Sequence, residues 1–286
     1  MLHPDASLQQ IRINLNRELR RIYPEGETIS LIRLIFEHLG FELPAVIGDP
    51  DRKPGPAAVA QINKIVSEID TQKPIQYILG YTHFCDLKIR LNRQVLIPRP
   101  ETEEMVFRII ERTQAPPGRV LDIGTGSGCI ALALKKHFRD ADVYGLEIKE
   151  GALDVARENS GHTGLAIHLI RGNILGKIPE EIRTDFGLIV SNPPYVLPGQ
   201  RKEMEDNVLR FEPEDAIFAE KEDPLAFYRK IAEFGFHQLD GKGSIWVEIN
   251  EQLGEETAMV FTKAGFPDVA ILQDIHGKDR FIQVTR

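Results

Sequence analysis

Cysteine is scarce, with only Cys85 and Cys129 in 286 residues. Two cannot build a disulfide framework, and they lack the paired spacing of a metal cluster, so a reducing, intracellular setting is the simpler expectation. Long hydrophobic runs are also missing. CIALAL (129–134) and LIV (188–190) fall far short of the ~20 residues a bilayer span needs. The N-terminus, MLHPDASLQQ, turns polar at residue 3, so no signal peptide is visible and a cytoplasmic protein without a membrane role is expected. Basic charge is in deficit, 35 Lys and Arg against 43 Asp and Glu, a formal charge of −8. That balance argues against an indiscriminate nucleic-acid surface, and no stable nucleic-acid complex is expected. The eight histidines show neither HExxH nor another paired-ligand spacing, so no metal site is expected. The sequence leaves the oligomeric state open, with a monomer favoured.

What is present is ample apolar material, 42% of the residues, enough for a full core at this length. Residues 1–72 read as a small helical bundle. Ile11, Leu15, Leu19 and Ile22 recur at helical spacing until Pro24 and Gly26; Ser30 is placed as the N-cap of a short helix closed by Gly40. After the polar break DPDRKPGP (49–56), Val59, Ile62, Val66 and Ile69 mark a third helix. Residues 73–98 change character, and DLKIRLNRQVLI (86–97) has strand composition around Asn92-Arg93, which suggests a linker with a β-hairpin.

From residue 99 to 286 strands and helices alternate, the pattern of an α/β sheet covered on both faces. Strands are expected at 119–123, 142–148, 166–170, 186–191, 243–249, 269–274 and 280–285. Only IHGKD (275–279) joins the last two, too short for a parallel crossover, so the final strand should run antiparallel to its predecessor.

The first chemical signal is LDIGTGSGCIAL (121–132). Gly124, Gly126 and Gly128, with Thr125 and Ser127 between them, sit between strand and helix, where missing Cβ atoms permit a tight turn and close ligand approach. Asp122 ends the first strand, and Glu147 ends the next, 23 residues after Gly124, where an acid can accept hydrogen bonds from a ribose diol. The glycines follow GxGxG, whereas the nicotinamide and flavin fingerprint GxGxxG would put its third glycine at Cys129. S-adenosylmethionine is therefore favoured: it brings a ribose for the acid and no pyrophosphate for the helix. Cys129 lies at a helix N-terminus, which lowers a thiol pKa, but no histidine is near it in sequence and a packing role is expected.

The second signal is SNPPYV (191–196), at the carboxyl end of the apolar strand FGLIVS. Open α/β sheets bind ligands at that edge. Pro193 and Pro194 lack N–H donors but keep their carbonyl acceptors, Asn192 adds an amide, and Tyr195 adds an aromatic face. Together they can hold a planar NH₂ group by both hydrogens and stack on its plane. Such a nitrogen is a poor nucleophile because its lone pair is delocalised, so positioning and fixed dipoles would carry an in-line methyl transfer.

GTGSG (124–128), SNPPY (191–195), PIQYILG (74–80) and IPRPETE (97–103), with FEPEDAIF (211–218) and VEINEQ (247–252), resemble the bacterial peptide-chain-release-factor glutamine N5-methyltransferases over nearly the whole chain. The resemblance implies a class I methyltransferase fold, a mostly parallel seven-stranded sheet with an antiparallel last strand behind a helical N-terminal domain that docks the substrate. It implies methyl transfer from S-adenosylmethionine to the glutamine of a release factor's Gly-Gly-Gln loop. Gly124 to Gly128, Asp122 and Glu147 would hold the cofactor, and Asn192, Pro193, Pro194 and Tyr195 the glutamine, with Asn192 near both. Asn173 would lie by the adenine amine, where the family commonly has aspartate, and Ile174 would pack on the ring. Glu147 also replaces a usual aspartate, and Asp86, Gly187 and Asn250 replace a glycine, an aspartate and a glycine respectively.

Three alternatives remain open from sequence: a glutamine methyltransferase of a ribosomal protein, an adenine N6- or guanine N2-methyltransferase, and a noncatalytic S-adenosylmethionine-binding scaffold. The core motifs do not separate the first. The charge of −8 and the lack of a basic aromatic-rich tract speak against the second, and the intact SNPPY against the third. Trp246 reads as core, and Arg99, Glu101 and Glu103 as either a charged first helical turn or a pocket edge.

Overall fold

A computed structural model describes residues 2–182 and 185–286. The chain divides after Gly80 into two compact units, rather than after residue 72. The first unit holds α1 (Leu8–Leu19), α2 (Glu25–His38), α3 (Leu43–Gly48), α4 (Pro56–Ile69) and α5 (Ile75–Leu79). Ser7 caps α1 reciprocally, accepting from the Gln10 N–H while Gln10 Oε1 accepts from the Ser7 N–H at 2.9 Å. Leu8, Ile11, Leu15 and Leu19 face inward against Leu31, Ile32, Ile35 and Phe36 of α2 and Val59, Ile62, Ile65 and Ile69 of α4. Two boundaries differ from expectation. Ile22 lies beyond α1, and Pro24 starts α2 because its fixed φ of −58° suits a helix entry. Ser30 is therefore interior to α2, where its hydroxyl donates to the Gly26 carbonyl at 3.2 Å.

The second unit opens with an antiparallel hairpin of β1 (Tyr81–Phe84) and β2 (Leu87–Arg90), with Phe84 opposite Leu87. Its turn is Cys85-Asp86, not Asn92-Arg93. Both turn residues have positive φ, 48° and 55°, the geometry of a two-residue type I′ turn that matches strand twist. Asn92 instead closes its own small turn, its side-chain oxygen accepting from the Gln94 N–H at 2.8 Å.

Next come α6 (Pro100–Arg112), β3 (Arg119–Ile123), α7 (Cys129–His137), β4 (Asp142–Glu147), α8 (Glu150–Thr163), β5 (His168–Arg171) and β6 (Phe186–Ser191). They are followed by α9 (Asp206–Phe211), α10 (Ala226–Gln238), β7 (Leu239–Glu248), α11 (Gly254–Lys263), β8 (Asp268–Gln273) and β9 (Asp279–Thr285). The seven strands stand in the order β5-β4-β3-β6-β7-β9-β8. Pairings from β5 through β7 are parallel, and β9 runs antiparallel to both β7 and β8, as the short connection requires. This is the class I methyltransferase sheet. Residues from both strands and helices fill the core, among them Leu121, Ile189, Val247, Tyr228, Ile231 and Phe261. Trp246, which alternates with Ile245 and Val247 along β7 and so faces the other side of the sheet, is 1% exposed. The order reverses between β3 and β6, so the carboxyl ends of β4, β3, β6 and β7 surround one crevice.

Candidate active site

Everything chemical in the second unit gathers at those strand ends. The turn after β3 is glycine-built: Gly124, Gly126 and Gly128 have φ of 75°, 53° and 80°, which side-chain-bearing residues rarely adopt. The amides of Gly124 and Thr125 both donate to the Leu146 carbonyl, at 2.8 and 3.1 Å, tying the turn to β4. Gly145 leaves the space that Thr125 fills, since a Cβ there would stand 2.9 Å from Thr125 Cγ2. Asn159 of α8 adds a third tie, donating to the Ser127 carbonyl at 2.9 Å and exchanging hydrogen bonds with the backbone of Arg90.

Asp122 lies underneath the turn and is fully buried. Its Oδ2 accepts from the Thr125 hydroxyl at 2.6 Å and from the Ala131 N–H at 3.2 Å, while Oδ1 has no partner. Burial pushes its pKa up to about 7 against the pull of those two bonds. Asp122 thus organises the turn from below and does not line the cavity above it. Cys129 is also buried, though it lines the cavity, and its thiol is pushed up to about 12, since desolvation outweighs the helix terminus.

Above the turn is a cavity of about 160 Å³. Gly124, Thr125, Gly126 and Ser127 form its floor, Glu147 one side, Asn192 and Thr102 another, and Val95, Leu96, Ile130 and Phe227 an apolar wall. Glu147 is 9% exposed. Its Oε2 accepts from the Gly126 N–H at 3.1 Å and its Oε1 from the Lys149 N–H at 3.0 Å. Each oxygen keeps a second lone pair, so a fixed carboxylate with spare acceptor capacity stands at the cavity edge.

A second cavity of about 100 Å³ lies beyond Asn192, lined by Leu96, Arg99, Pro193, Tyr195, Ala216 and Ile217. Asn192 belongs to both cavities and forms their shared wall. Its NH₂ donates to Thr102 Oγ1 at 2.9 Å, and the Thr102 hydroxyl donates to Glu248 Oε2 at 2.7 Å. The Tyr195 hydroxyl donates to the other oxygen, Oε1, at 2.8 Å. Desolvation and the neighbouring Glu248 hold the Tyr195 hydroxyl well above the ordinary phenol range, so it stays neutral.

The outer edge of the second cavity is pinned by Glu212. This buried carboxylate accepts from Arg99 at 2.6 Å and from the Ile97 N–H at 3.0 Å, joining the IPRP and FEPEDA segments. Lys149 pairs with Asp215 across the first cavity's rim.

The sequence candidates therefore separate. Gly124, Thr125, Gly126, Ser127, Glu147 and Asn192 line the first cavity, with Pro194; Pro193 and Tyr195 line the second. Gly128 packs behind, where a Cβ would meet Ala156 at 3.3 Å. Asn173 and Ile174 are not among the lining residues of either. Asn173 Oδ1 accepts from the Leu175 N–H at 2.9 Å, and Ile174 is 4% exposed in the core. Thr102, Glu248, Asn159 and Glu212 carried no individual signal in the sequence; the motifs holding Thr102, Glu212 and Glu248 were the available pointers. Among the described residues no cluster of His, Cys, Asp and Glu could hold a metal, and no helix is long and apolar enough to cross a membrane.

Comparison with known proteins agrees with this geometry. The methyltransferase small domain matches residues 104–210. A methyltransferase from Pyrococcus furiosus superposes with a TM-score of 0.52 at 21% identity, covering 70% of this chain and 88% of that one. A Thermus thermophilus 16S rRNA N2 methyltransferase, solved with AdoMet and guanosine, gives 0.53 at 15%, covering 72% and 49%. At such identities these two show the fold alone. Release factor glutamine methyltransferases from Flavobacterium psychrophilum and Bacteroides thetaiotaomicron are each 38% identical, over 97% and 98% of this chain and 99% and 100% of their own. With likeness of that extent running through both units, the chain belongs to the release factor glutamine methyltransferase family.

Proposed function

We propose that this protein methylates the side-chain amide nitrogen of the glutamine in a release factor's Gly-Gly-Gln loop, using S-adenosylmethionine, in the cytoplasm. The observation that carries the assignment of roles is Asn192 standing as the common wall of two adjoining cavities, one edged by a fixed carboxylate and one by Pro193 and Tyr195. The residues of the first cavity fit the cofactor. Glu147 has free acceptor lone pairs for a ribose diol, the glycine turn leaves room for close approach, and the apolar wall suits a flat ring. Ile148 lines this cavity and offers the ring a packing surface, a role that its position supports better than the core position of Ile174 does.

When bound, the cofactor supplies an electrophilic sulfonium methyl. The chain's residues do the positioning. Asn192 Oδ1, with the Pro193 carbonyl, accepts from the two N–H bonds of the glutamine amide and favours the partial positive charge that nitrogen acquires. Neutral Tyr195 packs against the amide plane with its hydroxyl anchored on Glu248. The helical first unit docks the protein substrate; support comes from relatives that match it along with the catalytic unit. Incubating the protein with labelled cofactor and, separately, a release factor, ribosomal proteins, RNA and DNA tests the reading. Label should enter the release factor, and label confined to ribosomal protein or nucleic acid would replace it.

A further inference from the structure

Glu248 ends β7, is fully buried, and touches neither cavity, yet both side chains assigned to the glutamine reach it. The direction of the bonds matters more than their number. A carboxylate only accepts, so the single hydroxyl hydrogen of Thr102 is committed to Glu248 Oε2 at 2.7 Å. What Thr102 then offers Asn192, 2.9 Å away, is a lone pair. Only the NH₂ end of the Asn192 amide can meet it favourably, and this turns Oδ1 away from Thr102. The opposite flip would set two acceptors, Asn192 Oδ1 and Thr102 Oγ1, against each other.

We propose that Glu248 and Thr102 are positioning residues for methyl transfer: they set the flip of the Asn192 amide so that its oxygen, not its NH₂, meets the N–H bonds of the acceptor. The proposal rests on the assignment of Asn192 to the glutamine clamp. It assigns Glu248 a double duty, orienting Asn192 through Thr102 and holding Tyr195 directly by its hydroxyl. Burial pushes the Glu248 carboxyl above the ordinary carboxylate range. What opposes this, holding the accept-only form, is the pair of hydroxyl bonds from Thr102 and Tyr195 together with the charge of Arg280, itself tied to Asp274 at 3.2 Å.

Thr102→Val keeps the shape of the side chain and removes both halves of the relay; Thr102→Ser keeps both. With release factor as substrate, Thr102→Val should lower single-turnover transfer at saturating cofactor by about 10- to 100-fold, the scale of a misaligned reacting group. KM for the release factor should move little, and Thr102→Ser should recover most of the loss. In an Asn192→Ala background the valine should cost almost nothing further, because the group through which it acts is gone. Should valine disturb α6, Thr102→Ala against Thr102→Ser compares loss and retention of the same hydroxyl. Parental transfer by the valine or alanine variant beside an inactive Asn192→Ala overturns the relay. A fully additive loss in the double mutant does so too. Parental transfer by Asn192→Ala itself overturns the clamp reading beneath it.

Discussion

Exchanging Asp122 for asparagine should change the pH dependence of stability far more than it changes the fold. Asp122 titrates at about 7 in the folded chain against an ordinary value of 3.8. Between those two values the folded state holds a proton that the unfolded state has released, so this group's contribution to stability is most favourable below about 4 and is lost as pH rises through 7. At about 1.4 kcal/mol per pKa unit the full loss is roughly 4 kcal/mol, of which about 2–3 kcal/mol falls between pH ~5 and ~8.5. Asparagine keeps an oxygen for the Thr125 hydroxyl and Ala131 N–H and cannot ionise. Its NH₂ takes the place of the unpartnered Oδ1, a cost that is the same at both pH values and cancels in the comparison. Trp246 is the sole tryptophan and is buried in β7 of the same unit, so its fluorescence follows the relevant transition during urea unfolding. Relative to the parent, the variant should gain about 2–3 kcal/mol on going from the lower to the higher pH. An equal stability difference at both would show that Asp122 is ionised throughout and that its burial has been misread.

Other substitutions probe other parts of the site. Glu147→Ala should weaken S-adenosylmethionine about ten- to hundredfold by calorimetry, the worth of a charge-assisted hydrogen bond, with thermal stability nearly kept. Asn173→Asp should leave cofactor affinity within about threefold, because the residue lines neither cavity and aspartate can still accept from the Leu175 N–H. A large change in that dissociation constant would bring the side chain back to the adenine. Asp86→Gly should raise stability by up to about 1 kcal/mol in urea unfolding, since glycine occupies φ of 55° without a Cβ penalty. The exposed Lys136–Asp86 pair lost in the exchange, at 3.6 Å, contributes little, so a clear drop in stability would contradict the strain reading.

Short-range patterning made the catalytic sheet legible. β3 and β6 fall on the residues expected from their apolar composition and flanking turns, and IHGKD, which carries the turn between β8 and β9, correctly implied the antiparallel final strand. The glycine turn, Glu147 and the SNPPY corner are likewise local signals, each at the carboxyl end of a strand. The hairpin was misplaced because Asn92-Arg93 has turn chemistry, while Cys85 and Asp86 adopt left-handed φ without an Asn-Gly or Asp-Gly signature. The relay was illegible for a different reason. Asn192 and Thr102 are 90 residues apart and Thr102 and Glu248 are 146 apart, and neither propensity nor periodicity encodes which distant polar groups will share a buried bond. Asn159 and Glu212 belong to the same class, each reaching backbone groups far along the chain. Ile174 shows the converse: its motif resembled an adenine contact, but its side chain completes the core.

Mass-spectrometric mapping of release factor after reaction with the purified protein and S-adenosylmethionine tests the central claim most directly. The account predicts one added methyl on the side-chain nitrogen of the Gly-Gly-Gln glutamine, absent when Asn192→Ala replaces the parent. A methyl on any other residue, or an unmodified loop under conditions in which the cofactor is bound, would contradict it.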